Sequence, residues 1–286
     1  MGNAKKIGFV DYYLSEWHAN NYPNWLREEC EKKGLDYEVA YAWAEIDVSP
    51  RDNKTTDEWC AEFGVTRCQT LEELCEKSDV IVILAPTNPE KHLGYAEVVL
   101  PYGKPTYIDK TFTPDLATAK KIFALAEAHG TKFFSTSALR YATELNECES
   151  CTQIMTTGGG RDIEEYIVHQ AEMVVCKLGL GAEAVKAEVI GDQTLFIVKY
   201  ADGRAASMIF GEKYSFTAYM NTAENKPTKM LKITSDFFKL LMADILNFFE
   251  NGEISFDTAQ TLEVMSLRES ALKAANTPDT WIEIAK

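Results

Sequence analysis

The residues best placed for chemistry in this sequence stand at strand ends and on one helix face. Lys110 closes the run Gly103-Lys104-Pro105-Thr106-Tyr107-Ile108-Asp109-Lys110-Thr111, a short strand pattern ending on a carboxylate and an ammonium. In a chain that alternates strands and helices, the C-terminal end of a strand is where α/β proteins bind ligands. The bland alternative is a surface lysine paired with Asp109. Glu165 and His169 lie four residues apart, so a helix puts both on one face. Asp11, Tyr12 and Tyr13 follow the first apolar run. There a tyrosine could stack on a ring and Asp11 could bind hydroxyls, or the turn could pack on Trp17 and close the crevice.

Elements of alternating type must hold these residues. Lys6–Asp11, Tyr37–Trp43, Val65–Cys68, Asp79–Ala85, the Lys110 run and Lys132–Ser135 read as strands. Helical spacing covers His18–Lys33, Thr56–Phe63, Thr70–Lys77, Pro89–Leu100 and Pro114–His129. Asp-Val-Ile-Val-Ile-Leu-Ala is apolar without alternation, the pattern of a parallel strand covered on both faces. The expected fold is α/β: an N-terminal doubly wound, Rossmann-like parallel sheet over residues 1–140. A smaller α+β domain with a mixed or antiparallel sheet is expected over 141–286. There Asp162–Leu178 reads as a helix, and Val185–Ile190, Thr194–Tyr200 and Arg204–Phe210 as antiparallel strands. Ala201-Asp202-Gly203 marks a hairpin, and helices follow near 234–250 and 257–274. No strand is evident before Gly158-Gly159-Gly160, which reads as a flexible lead into the helix.

Composition excludes several classes. With 286 residues, 46% of them hydrophobic, the chain can bury a sizeable core. A net charge of −15 argues against nucleic acid or an anionic membrane as partner. No run of about 18 apolar residues indicates a membrane span. The start lacks a signal-peptide pattern, and Lys6 occupies the place where myristoylation of Met1-Gly2 prefers Ser or Thr. A soluble, cytoplasmic protein is expected. Seven scattered cysteines fit reduced thiols. Cys148 and Cys151 form one CxxC without the further ligands of a zinc set, so no metal is expected.

Residues 79–141 resemble the nucleotide-domain core of the glucose–fructose oxidoreductase / inositol dehydrogenase (Gfo/Idh/MocA-type) family. Ala85-Pro86-Thr87-Asn88-Pro89-Glu90-Lys91-His92 is similar to the family's Thr-Pro-Asn-like turn before a His-bearing helix. Gly103–Thr111 is similar to its Gly-Lys-x-x-x-x-Glu-Lys-Pro motif, and Arg140-Tyr141 to its Arg-Tyr or Arg-Phe. Gly158–Gly160 and Glu165–Glu172 resemble its Gly-Gly-Gly and Asp-x-Gly-x-His-x-x-Asp.

The resemblance implies an NAD(P)-dependent oxidoreductase that transfers hydride between a nicotinamide cofactor and a sugar, polyol or related hydroxy compound. It implies Lys110, His169 and Glu165 as catalytic residues, with Lys110 relaying the substrate's proton, His169 as base and Glu165 orienting it. It places Arg140, Lys110 and His169 on a small, carbohydrate-like substrate; Arg140 could equally tie a loop to Glu144. Asp11, Tyr12, Tyr13, Glu45, Pro86, Asn88 and Asp109 are the expected cofactor contacts. Glu45, just past the second strand, suits a ribose 2′-hydroxyl and so NAD over NADP, unless it is an ordinary exposed glutamate. A homo-oligomer, dimer or tetramer, is expected by analogy. Three departures stand out, one of them that the family's Asp-His pair is here Glu165 and His169 and its Glu-Lys-Pro is Asp109-Lys110-Thr111. The glycine-rich turn after the first strand is replaced by Asp11-Tyr12-Tyr13-Leu14-Ser15-Glu16, which should repel a dinucleotide phosphate. The interval from Arg140 to Gly158 is shorter than the family's usual connection and implies a substrate domain trimmed by roughly a strand or more. These departures keep a second reading open: a fold relative without conventional NAD binding, acting as a carbohydrate-type ligand-binding or regulatory protein, or as a non-redox lyase or isomerase.

Overall fold

The computed structural model describes residues 4–286; Met1 and Gly2, read above against myristoylation, lie outside them. Chain contacts divide these residues into two units. The first takes the described residues up to Ser135 together with Lys239–Ser255, and the second takes Thr136–Phe238 and Phe256–Lys286. The expected consecutive division at 140/141 is thus replaced by an interleaved one. Its cause is aromatic: Phe248 packs on Phe134 and Phe249 on Tyr37, which returns that late helix to the first unit.

In the first unit, β1 (Lys5–Asp11), β2 (Tyr37–Ala44), β3 (Thr66–Arg67), β4 (Val80–Ile83), β5 (Thr106–Ile108) and β6 (Phe133–Phe134) pair in parallel. Their order is β3-β2-β1-β4-β5-β6, the doubly wound arrangement of dinucleotide-binding folds. The strands alternate with α1 (Trp17–Lys33), α2 (Thr56–Phe63), α3 (Leu71–Lys77), α4 (His92–Val99) and α5 (Leu116–His129). All of β4 is buried, as its unbroken apolar run predicts. Helix α5 starts two residues later than expected, because Asp115 caps it by accepting from the Thr118 N–H at 2.7 Å and leaves Pro114 outside.

In the second unit, β7 (Cys151–Gly158), β8 (Ala182–Ile190), β9 (Gln193–Tyr200), β10 (Ala205–Gly211), β11 (Thr217–Thr222), β12 (Leu231–Lys232) and β13 (Ile282–Glu283) form a sheet ordered β12-β11-β7-β10-β9-β8-β13. The β9–β10 hairpin turns at Gly203, whose φ of 85° is the left-handed conformation that Asp-Gly announced. Only the β7–β10 pair is parallel, which makes the sheet mixed. Helices α6 (Ile163–Leu178) and α8 (Ala259–Asn276) pack on each other and on β7 and β8 respectively. Helix α7 (Phe237–Asn251) is the one returned to the first unit from Lys239 onward. No helix among the described residues is long and apolar enough to cross a membrane.

Two expectations fail at β7. A strand does occupy the interval thought to be trimmed, and it lies inside the sheet between β11 and β10. Its buried residues are Cys151, Ile154, Thr156 and Gly158, with Ile154 the one large apolar side chain among them, so alternation marks it weakly. The glycines that follow are packed, not flexible: a Cβ on Gly159 would lie 1.9 Å from the Gly211 carbonyl oxygen.

Candidate active site

At the C-terminal edge of the first sheet, β1 delivers Asp11 into a buried position. Its Oδ1 accepts from the backbone N–H of Tyr12 at 2.7 Å and of Ala85 at 3.1 Å, tying the ends of β1 and β4 together. Its Oδ2 is buried with no hydrogen-bond partner. Burial, and after it the nearby charge of Glu16, holds this carboxyl well above the usual carboxylate range. Asp11 is therefore a structural tie first, rather than the hydroxyl-binding group expected.

The turn after Asp11 is held from two sides. Ser15 adopts a left-handed φ of 52°; its hydroxyl donates to Asp52 at 2.7 Å, and its carbonyl accepts from the Ser49 hydroxyl at 3.1 Å. Glu16 then caps α1: its carboxylate accepts from the His18 N–H at 2.9 Å and from the Ala19 N–H. Tyr13 is buried, while Tyr12 is half-buried with its ring 4.8 Å from the Lys91 ammonium.

Asp109, next to Lys110, is the hub of the edge. Its Oδ2 pairs with Nδ1 of His18, and its Oδ1 accepts from the Tyr107 hydroxyl at 3.1 Å and the Lys110 N–H at 2.8 Å. Burial opposes its ionisation, but the His18 charge and hydrogen bond outweigh it and hold the carboxyl below its ordinary value. Asp109 is thus engaged by the protein itself rather than open to a cofactor. Lys110 is buried at 8% exposure, and its ammonium reaches the Pro86 carbonyl at a long 3.4 Å. His92 ties the same edge, its two nitrogens meeting the Phe112 and Leu84 carbonyls at 2.8 and 2.6 Å.

Glu45, Pro86 and Asn88 flank this edge. Glu45 pairs with Lys91 and accepts from the Tyr95 hydroxyl at 2.7 Å; burial raises its pKa less than these bonds lower it. With Trp43, Leu71 and Tyr95 it lines a cleft of about 590 Å³. Pro86 offers its carbonyl to Lys110, and the Asn88 amide donates to Glu90 at 3.0 Å. Glu45 is exposed, with both carboxylate oxygens engaged at the surface by Lys91 and Tyr95.

In the second unit the expected Glu165–His169 pairing is not formed. The Glu165 carboxylate turns to Arg161, one helical turn earlier, because the first turn of α6 brings that guanidinium within reach. His169 instead meets the Ser137 hydroxyl through Nδ1 at 2.7 Å. Arg140 is likewise committed: its Nε donates to Glu172 at 2.6 Å and to Thr136 at 3.1 Å, and Nη1 donates to Gln260 at 2.7 Å. Its guanidinium lies 4.0 Å from the Phe256 ring centre, and Nη2 is buried without a partner. Glu144, the partner the sequence offered, caps Thr234 and Ser235 instead. Sequence reasoning missed His18, Ser137 and the role of Glu172. His18 carried no local signal, because its partner is 91 residues away.

Doubly wound sheets of this order commonly hold a dinucleotide, and the start of α1 tests whether this one can. A pyrophosphate needs free N–H groups there and a close backbone approach that glycine permits. Between Asp11 and Trp17 there is no glycine, and the N–H groups of His18 and Ala19 are taken by Glu16. As folded, this seat does not fit a pyrophosphate.

Comparison with known proteins supplies the relationship. A scyllo-inositol dehydrogenase from Lactobacillus casei, solved with NAD(H) and scyllo-inositol, superposes with a TM-score of 0.75 at 13% identity over 99% of this chain and 100% of that one. GenD2 of gentamicin A biosynthesis, solved with NAD, gives 0.76 at 12% over 100% and 98%. The UDP-N-acetylglucosamine 3-dehydrogenase GnnA from Acidithiobacillus ferrooxidans gives 0.72 at 13% over 97% and 99%. At such identities the likeness establishes the fold. A 60-residue stretch is 40% identical to the uncharacterized oxidoreductase YhhX of Escherichia coli K12, spanning 21% of this chain and 17% of that protein. Residues 38–137 match the profile of the oxidoreductase family with an NAD-binding Rossmann fold. The profile match covers β2 to β6 of the first unit, and the solved structures share the fold of the whole chain.

Proposed function

We propose that this protein is an oxidoreductase that interconverts a hydroxyl and a carbonyl on one carbon of a sugar, polyol or related hydroxy compound. Residues 38–137 match the profile of an oxidoreductase family with an NAD-binding Rossmann fold, which supports a nicotinamide dinucleotide as the redox partner. The observation that carries the reading is Lys110, a buried ammonium at the end of β5 whose side-chain hydrogen bond is one long contact to a carbonyl. Three ammonium hydrogens with so little to bind leave donor capacity for a substrate oxygen. In this role Lys110 holds the reacting oxygen and moves its proton as the carbonyl forms or disappears. His169, steadied by Ser137, is proposed as a further proton-handling group in the second unit; Glu165 is no longer its orienting partner. A fold relative solved with NAD(H) and scyllo-inositol, the scyllo-inositol dehydrogenase of Lactobacillus casei, supports the substrate class.

One observation favours a second reading. Glu16 on the α1 terminus fits a protein that performs a non-redox isomerase or lyase step, or only binds a carbohydrate-like ligand, without a dinucleotide. Calorimetric titration with NAD and NADP, combined with turnover of a panel of inositols, hexoses and polyols, separates the two. Binding with turnover supports the oxidoreductase; no binding of either cofactor up to millimolar concentration sinks it. Lys110→Met should lower kcat about 10²–10⁴-fold with the fold intact. An undiminished Lys110→Met variant would remove Lys110 from the chemistry.

A further inference from the structure

We infer that Glu16 is a built-in substitute for the pyrophosphate, which holds the N-terminal amides of α1 and makes this protein discriminate against NAD and NADP. The inference goes beyond the oxidoreductase reading, because it concerns the seat of a dinucleotide and holds whichever of the two readings is right.

The first N–H groups of a helix are unsatisfied donors with a partial positive charge, and this is what an anionic ligand seeks there. Glu16 gives them an anion of the chain's own. One carboxylate oxygen takes the His18 N–H and the other the Ala19 N–H, and the residue is only 4% exposed. A cap of this kind differs from a short Ser or Asp cap, because a longer side chain carries its charge over the helix end.

Three ties keep the substitute in place. The His18 ring is latched to Asp109, fixing the first turn of α1 to the end of β5. The Ser15 hydroxyl and carbonyl are bound to Asp52 and Ser49 of the β2–α2 connection. Tyr13 and Leu14 fill the space beside them with buried side chains, where a phosphate loop has glycine. Asp11 then adds a second buried carboxyl whose Oδ2 has no hydrogen-bond partner. An incoming pyrophosphate would meet occupied donors and a carboxylate at the seat, and repulsion in such a low-dielectric place is strong.

Two substitutions separate charge from shape. Glu16→Gln removes the charge and keeps the size; Glu16→Ser keeps an N-cap hydroxyl and vacates the seat. Glu149→Gln, an exposed position in the second unit, controls for the change in net charge. Binding of NADH to each full-length protein is followed by nicotinamide fluorescence, with thermal melts to establish folding. Both Glu16 variants should bind NADH at least tenfold more tightly than the unaltered protein, Glu16→Ser most tightly, and Glu149→Gln should not. Equal or weaker binding by folded Glu16 variants overturns the inference, as does equal tightening by Glu149→Gln. The outcome is independent of turnover. A Glu16→Ser protein that binds NADH but, supplied with NAD as hydride acceptor, oxidises nothing in the panel would remove the proposed activity and leave the role of Glu16 standing.

Discussion

Replacing Glu172 with alanine should destabilise the second unit by about 3–5 kcal/mol. The Glu172 carboxylate accepts from Arg140 Nε at 2.6 Å, the Thr136 hydroxyl at 2.8 Å and the Ser137 N–H at 3.1 Å. The two charged side chains are only 7% and 3% exposed. Hydrogen bonds to a charged group are worth roughly 1.5–3 kcal/mol each, but these three share one acceptor and do not add in full. The larger cost is what remains: a guanidinium out of water with Gln260 and the Phe256 face for company. Losing one partner of a buried pair costs about 3–5 kcal/mol for that reason. Arg140→Met with Glu172→Leu should cost less than Glu172→Ala alone, since no charge is then stranded. Urea denaturation followed by far-ultraviolet circular dichroism gives the midpoints. Hydrogen exchange of α6 amides assigns the loss to the second unit, which matters because two units need not unfold together. A Glu172→Ala protein within about 1 kcal/mol of the parent would refute the reasoning. Arg140→Met that raises KM without loss of stability would restore Arg140 as a substrate clamp.

Further outcomes follow from the same physics. The Asp11 carboxyl titrates higher in the fold than in the unfolded chain, so its contribution is present at low pH and is lost as pH rises through the folded value. Asp11→Asn does not titrate, so its melting temperature should gain on the parent's as pH climbs from about 5 to about 9; parallel curves would contradict this. Gly159→Ala drives a methyl onto the Gly211 carbonyl and should cost at least about 2 kcal/mol in urea midpoints, because backbone cannot step aside.

Much of the first unit was legible. Its apolar runs and helix stops repeat with the periods that backbone geometry imposes, and Gly34, Gly64 and Gly130 sit in left-handed C-caps where the sequence ended each helix. The positions of Lys110 and His169, just past a strand and on a helix, were legible because secondary structure alone defines them. The second sheet was half legible. Its hairpin announced itself through Asp-Gly, whereas β7 hid because Ile154 is its one large buried apolar side chain and because it owes its place to neighbours on both sides.

The sequence by itself determined the strand–helix alternation, the parallel sheet, the lysine at the strand end and the loss of the glycine turn. These follow from local periodicity and from residue types at fixed positions. Only the tertiary structure decided the partners. It gave Glu16 to the α1 amides, His18 to Asp109, Arg140 to Glu172 and Glu165 to Arg161 rather than to His169. None of these four pairings was expected from the sequence, and two join residues more than thirty positions apart. A buried charge takes whichever opposite charge or donor the fold brings within about 3 Å, and chain distance has no say in that choice.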